Sequence, residues 1–263
     1  MKYQMMGFEV KDNVAWIRFN RPESFNAVNF QATSEFYDII NRCGADRSVR
    51  AVVLTGTGDR AFCAGGDVAE FVQRGEDLEL LLKEMTTLLH TGISRLAWLR
   101  APVIAAINGV AAGAGLSFAA CCDLAIAADT AKFTSAYTQI GLTPDGSSTY
   151  FLTRLLGQRR VKELYLTNRV LTAQEALDWG LVNRVVPAAD LMTEVTKLAT
   201  QLAKGPTEAY GGVKKLVMMS SNDTLESQME RETRSIVEMG RTKDAREGLK
   251  AFVEKRKPNF IGE

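Results

Sequence analysis

The sequence predicts an α/β protein with a helical C-terminal part. Three observations carry this. A buried strand at 49–55 runs into a glycine-rich loop at 56–66 and then a helix. A second buried strand at 103–107 runs into Asn108-Gly109 and a small-residue helix at 112–120. Beyond residue 149 nearly every periodic segment has helical spacing. Strand, loop and helix in repeated order is the signature of layered α/β packing.

In chain order, 7–10 and 14–19 read as strands, the second by period-two alternation, joined by a polar turn at Lys11-Asp12-Asn13. Phe36, Ile39, Ile40 and Cys43 fall at helical spacing within 29–43. Asp67 opens a helix to about residue 74, and 77–99 is a longer one. Strands follow at 124–127 and from Phe133. The later helices are expected at 149–156, 159–166, 172–179, 191–203, 207–218, 225–239 and 244–255, with one strand at 181–186. Thr172 and Glu175 form a capping-box pattern. The change in character puts an α/β core at 1–190 and a helical region at 191–263.

Composition removes several functions. The 263 residues carry 32 Lys and Arg against 31 Asp and Glu, a net charge of +1. No global field is available to attract nucleic acid or an anionic membrane. A single histidine, His90, cannot build a two-histidine zinc site. Cys43, Cys63, Cys121 and Cys122 have no C-x-x-C spacing, so no zinc ribbon or dithiol redox pair is expected, and packing is the expected role of these thiols. Residues 1–7 lack an apolar signal core, which fits a reducing, cytoplasmic setting. The uncharged 101–122 segment is long enough to span a bilayer, but Pro102, Asn108, Gly109, Gly113 and Gly115 break it, so it reads as buried core.

The two loops are the chemical feature. Glycine lets backbone approach a ligand, and free N–H groups at a helix start stabilise negative charge. Two such groups from two loops make an oxyanion hole. Tight packing without a ligand is the other reading. Gly109, Gly113 and Gly115 do not give G-x-G-x-x-G, and no P-loop lysine follows, so these nucleotide motifs are absent.

The segments AGGD at 64–67 and NGVAAGAG at 108–115 resemble the signature loops of the crotonase, or enoyl-CoA hydratase/isomerase, superfamily. The resemblance continues through DLAIAAD at 123–129, AKF at 131–133, GLTPD at 141–145, ALDWGLV at 176–182, REGLKAF at 246–252 and KRKPNF at 255–260. It implies a crotonase-like spiral of ββα turns with a helical C-terminal trimerisation region, in homotrimers or homohexamers. It implies an acyl-CoA substrate, with coenzyme A as part of the thioester and no metal or redox cofactor. The N–H groups of Gly66 and Ala114 would bind the thioester oxygen. Ala64, Asp67 and Gly113 would lie at the substrate, with Tyr137 and His90. Lys255 and Phe260 would reach a nucleotide site. Arg21, Arg60 and Lys257 are further cations for CoA phosphates, although solvated surface charge is the commoner fate of each.

The side chains decide the reaction. Hydratases of this superfamily carry two glutamates, at positions that are Ser117 and Tyr137 here. Neither replaces a carboxylate near neutral pH, since tyrosine titrates near ~10. Asp145 resembles the single acid/base of the phenylacetate-pathway isomerases, where one carboxylate takes a proton at one carbon and returns it at another. Capping of the helix after Ser147 is its structural alternative. A second reading follows from His90, twelve residues before Pro102. The 4-chlorobenzoyl-CoA dehalogenases carry an assisting histidine at that spacing, with an aspartate nucleophile at the position of Asp145. A silent CoA-binding member is the third. Met85, Leu88, Leu89 and Tyr137 are the expected acyl-pocket residues.

Overall fold

The computed structural model describes residues 3–263, so Met1 and Lys2 of the expected leaderless start lie outside the described residues. Among the described residues, ten strands form two sheets. The larger has the order β1 (Met6–Lys11), β2 (Val14–Phe19), β3 (Ala51–Gly56), β5 (Val103–Ile107), β7 (Leu124–Ala128) and β10 (Arg184–Val186). Only the β1–β2 hairpin is antiparallel in it. The smaller has the order β4 (Ala61–Cys63), β6 (Val110–Ala112), β8 (Lys132–Thr134) and β9 (Leu171–Thr172). Each turn of chain gives one strand to each sheet, as β3 then β4, β5 then β6, and β7 then β8. This is the expected ββα spiral.

Helices fill the turns: α1 (Phe30–Ala45), α2 (Val68–Arg74), α3 (Leu78–Ala97), α4 (Ala114–Cys121), α5 (Ser148–Leu156), α6 (Gln158–Thr167) and α7 (Ala173–Trp179). Their starts follow side-chain chemistry. Asn29 accepts from Ala32 N, Asp67 from Ala69 N and Glu70 N, and the Thr172–Glu175 capping box is formed. The main core holds an aromatic cluster, with Phe118 of α4 4.9 Å from Phe19 and 5.0 Å from Phe36. The 101–122 segment is β5, β6 and α4, and no helix among the described residues is long and apolar enough to cross a membrane.

Two expectations are corrected. The loop expected at 56–66 contains β4, and β6 (Val110–Ala112) follows Asn108-Gly109 where a helix was expected from residue 112, so that α4 starts only at Ala114. The second half holds β9 as well as β10, and the strand expected at 181–186 is confined to Arg184–Val186. The chain after residue 190 begins with α8 (Leu191–Ala203), whose Leu191, Val195, Ala199 and Ala203 pack on the outer face of the large sheet against Val53, Ile104 and Ile126. That helix is thus a layer of the core. Beyond it lie α9 (Thr207–Ser220), α10 (Leu225–Met239) and α11 (Lys243–Val253).

Candidate active site

β4 and β6 are parallel neighbours, paired Ala61 to Val110 and Cys63 to Ala111. Their C-terminal ends therefore lie side by side, and the loops leaving them meet. Gly65, at φ +104°, sits where a Cβ would come within 3.0 Å of Ala112 O and 3.4 Å of Ala114 N. A Cβ on Gly115 would stand 1.9 Å from Cys63 O. Small residues are what allow this approach. Asn108 ties the strand ends further, donating to Gly58 O at 2.7 Å and accepting from Gly56 N at 3.1 Å. In the sequence Asn108 was legible as the first residue of the second loop motif and as a break in an apolar run, but not as a tie between the two strand ends.

The loops leave two N–H groups without backbone partners among the described residues. Val28 N donates to Gly65 O and Asp67 N donates to Val28 O, so the intervening Gly66 N–H faces away from Val28. Ala114 is the first residue of α4, where helical N–H groups have no intrahelical acceptor. Both residues line a cavity of about 450 Å³. Its wall also includes Ala64, Gly113, Met85, Leu89, Tyr137 and Asp145. Asp145 is the one carboxylate in that wall among the described residues. Leu88 is not part of it. Phe71, Leu82 and Ile140 are, and sequence reasoning missed them. Their contribution depends on how α2 and the 138–140 turn fold over the loops, which no local pattern displays.

Asp145 is held on all sides. Its Oδ1 accepts from Tyr137 OH at 2.6 Å. Its main-chain oxygen accepts from Ser148 N at 3.2 Å, Ser148 Oγ at 2.8 Å and Ser117 Oγ at 3.1 Å. Tyr165 OH donates in turn to Ser148 Oγ at 2.7 Å. The Asp145–Ser148 bond closes a turn whose central residues, Gly146 and Ser147, both have φ near +60° (60° and 62°). The start of α5 has no side-chain cap. Asp145 therefore does not cap that helix, and its carboxylate faces the cavity. Burial, and next the Asp145 charge, push the Tyr137 hydroxyl well above the ordinary tyrosine value. It stays a neutral donor.

Ser117, fully buried, lies 3.2 Å from Tyr137 OH and 3.4 Å from Gly113 O. It has one proton for three acceptors, since Tyr137 gives its own to Asp145. The positions expected to lack the hydratase glutamates thus form a neutral hydroxyl pair that links the second loop to Asp145.

His90 lies beside Asp145, its Nε2 4.0 Å from Asp145 Oδ2. That Nε2 accepts from Gly146 N at 3.1 Å, which fixes the ring with its proton on Nδ1. Asp67 is outside the cavity wall. Its carboxylate caps α2 and pairs with Arg21 at 2.7 Å, so both groups are engaged. Arg60 lies 3.8 Å over the Phe25 ring. Lys255, Lys257 and Phe260 follow α11 and are not brought to this cavity within the chain. Cys63 is buried, and burial pushes its thiol up to about 12.

Two parallel strand ends, two unpaired N–H groups and a carboxylate on one cavity define a protein of the crotonase fold. The structure of an enoyl-CoA hydratase/isomerase from Mycobacterium abscessus superposes with a TM-score of 0.93 at 33% identity, over 98% of this chain and 100% of that one. An enoyl-CoA hydratase from Bacillus anthracis gives 0.93 at 33% identity, over 99% and 100%. The enoyl-CoA hydratase/isomerase family model matches residues 9–263. The chain belongs to that family. Its relatives differ in reaction. It is 38% identical to a probable enoyl-CoA hydratase of Rhodobacter capsulatus over 100% of both chains. It is 41% identical to a 4-chlorobenzoyl coenzyme A dehalogenase of an Arthrobacter species, over 87% of this chain and 83% of the relative. It is 36% identical to the 1,2-epoxyphenylacetyl-CoA isomerase of Escherichia coli, over 96% and 97%.

Proposed function

We propose that the protein is an acyl-CoA isomerase that moves a double bond, or rearranges a ring, next to a thioester, with Asp145 as its single acid/base. The observation that carries this is the one carboxylate facing the same cavity as the Gly66 and Ala114 N–H groups. Loss of a proton from the carbon chain of an enoyl thioester sends the electron pair through the double bond to the thioester oxygen. Two N–H donors stabilise that oxyanion. Asp145, now protonated, returns the same proton to a different carbon, and the bond order shifts with no atom gained. Oδ2 is the accepting oxygen, because Oδ1 is occupied by Tyr137. The reaction is redox-neutral, and coenzyme A enters only as part of the substrate.

Hydration needs a second group to activate water. Ser117 and the firmly protonated Tyr137 do not supply one. A panel of 2-enoyl- and 3-enoyl-CoA thioesters tests the reading. Interconversion of the two without 3-hydroxyacyl-CoA is the expected result. Hydration as the main reaction would refute it.

The His90–Asp145 contact favours one second reading, dehalogenation. Asp145 would attack the halogen-bearing ring carbon, halide would leave, and water would cleave the aryl ester. The lone pair that would activate that water accepts from Gly146 N instead, which favours isomerisation. Chloride release from 4-chlorobenzoyl-CoA separates the two. Acyl-CoA binding with no turnover on any substrate would favour a silent member.

The assembly we propose is a homotrimer, or a hexamer of two. Leu249, Phe252 and Val253 on α11 are 71–85% exposed, an apolar face that a second copy would cover. Lys255 and Phe260 would then approach a neighbour's nucleotide. The mass of the assembly in solution tests this, and a monomer would refute it.

A further inference from the structure

Tyr165 of α6 is buried and lies outside the cavity wall, yet both of its oxygens lead to Asp145. Its hydroxyl donates to Ser148 Oγ at 2.7 Å, and Ser148 Oγ donates to Asp145 O at 2.8 Å. Its main-chain oxygen accepts from Thr138 Oγ1 at 2.6 Å, and Thr138 directly follows Tyr137, whose hydroxyl holds Asp145 Oδ1. Asn168 Nδ2 donates to the same Thr138 Oγ1 at 2.7 Å. One residue thus ties down both the main chain of Asp145 and the segment that carries Tyr137. Ser148 is fully buried and is also outside the wall. Burial pushes the Tyr165 hydroxyl up to about 12, so it stays a donor at neutral pH.

The turn at Asp145 needs such a hold. Ser147 stands at φ +62°, a left-handed conformation that is costly for a residue with a Cβ, and such strain persists only where the surroundings fix it. Gly146 is pressed against α4, since a Cβ there would come within 2.9 Å of Ser117 Cβ. A turn free to relax would carry the carboxylate with it. We propose that Tyr165 and Ser148 are positioning residues, a hydroxyl pair that holds the Asp145–Ser148 turn so that the carboxylate stays on the cavity of the Gly66 and Ala114 N–H groups. This rests on the isomerase reading above and adds to its machinery two residues that touch no substrate. Misplacing a reacting group by about 1 Å costs on the order of 10²-fold in rate, so a bond to the main chain of Asp145 reaches the chemistry.

Tyr165→Phe keeps the ring and removes the bond, and Ser148→Ala breaks the chain at its middle. Each is assayed with 3-enoyl-CoA for kcat and KM, and by calorimetric titration with saturated butanoyl-CoA. In each variant kcat falls about tenfold or more, while KM and the affinity for butanoyl-CoA change less than about threefold. Because Tyr165 acts through Ser148, the double variant falls no further than Ser148→Ala alone. A packing role would instead weaken binding together with kcat. Far-UV circular dichroism checks the fold of each variant, and either one alone carries the comparison of kcat with KM. A kcat within about twofold of the wild type in a folded variant, or losses in the two that multiply in full, would overturn the positioning role alone. A wild type that binds butanoyl-CoA but moves no double bond would overturn the isomerase reading, and this role with it.

Discussion

The Tyr137 hydroxyl donates to Asp145 Oδ1 across 2.6 Å. A neutral hydroxyl thereby acts as a clamp on the one carboxylate of the cavity wall among the described residues. Tyr137→Phe removes a charge-assisted bond worth about 1.5–3 kcal/mol. We expect kcat for double-bond shift to fall about 10- to 100-fold with a smaller change in KM. The sign of the pH effect follows from the raised Tyr137 value. The group keeps its proton through the ordinary titration near ~10, so wild-type activity has no alkaline loss from Tyr137 up to that pH. A steady-state profile checks both.

His90→Gln separates the two readings of Asp145. In an isomerase His90 only flanks the carboxylate, and kcat/KM falls by less than about tenfold, far short of a lost acid/base. In a dehalogenase the aryl ester on Asp145 would accumulate. Intact-mass spectrometry after mixing with 4-chlorobenzoyl-CoA reads that adduct directly.

Gly115→Ala tests the meeting of the loops. A methyl group 1.9 Å from Cys63 O forces α4 away from β4. We expect a stability loss of about 2–4 kcal/mol in denaturant unfolding. A stable variant would mean that the two loops do not meet as described.

Asp67→Ala addresses a residue that the family pattern places at the substrate and the structure places under α2. Loss of the cap and of the Arg21 pair is expected to cost about 1–2 kcal/mol of stability. If KM rises tenfold or more in a variant of undiminished stability, Asp67 is a binding residue after all.

Much of this was legible in the sequence where the signal is local. Asn29, Asp67 and Thr172 mark helix starts because their side chains bond N–H groups two or three residues on. The helix at 191–203 is legible from its apolar spacing, and the structure has it at Leu191–Ala203. The strands β4, β6 and β9 were not legible. Two or three residues show no alternation, and they are strands only because distant segments pair with them. In the same way Asp145 was legible by its motif, whereas its position beside His90 arises only because α3 is packed against the 141–147 segment. His90 was legible by spacing, and only the structure shows its Nε2 committed to Gly146.

The central claim is that one carboxylate performs the proton transfer, and Asp145→Asn measures it most directly. The amide keeps the size of the side chain but has no basic oxygen for a carbon-bound proton. With 3-enoyl-CoA as substrate, the account predicts a fall in kcat/KM of about 10³-fold or more, with saturated acyl-CoA still bound. Isomerisation within tenfold of the wild type would contradict it.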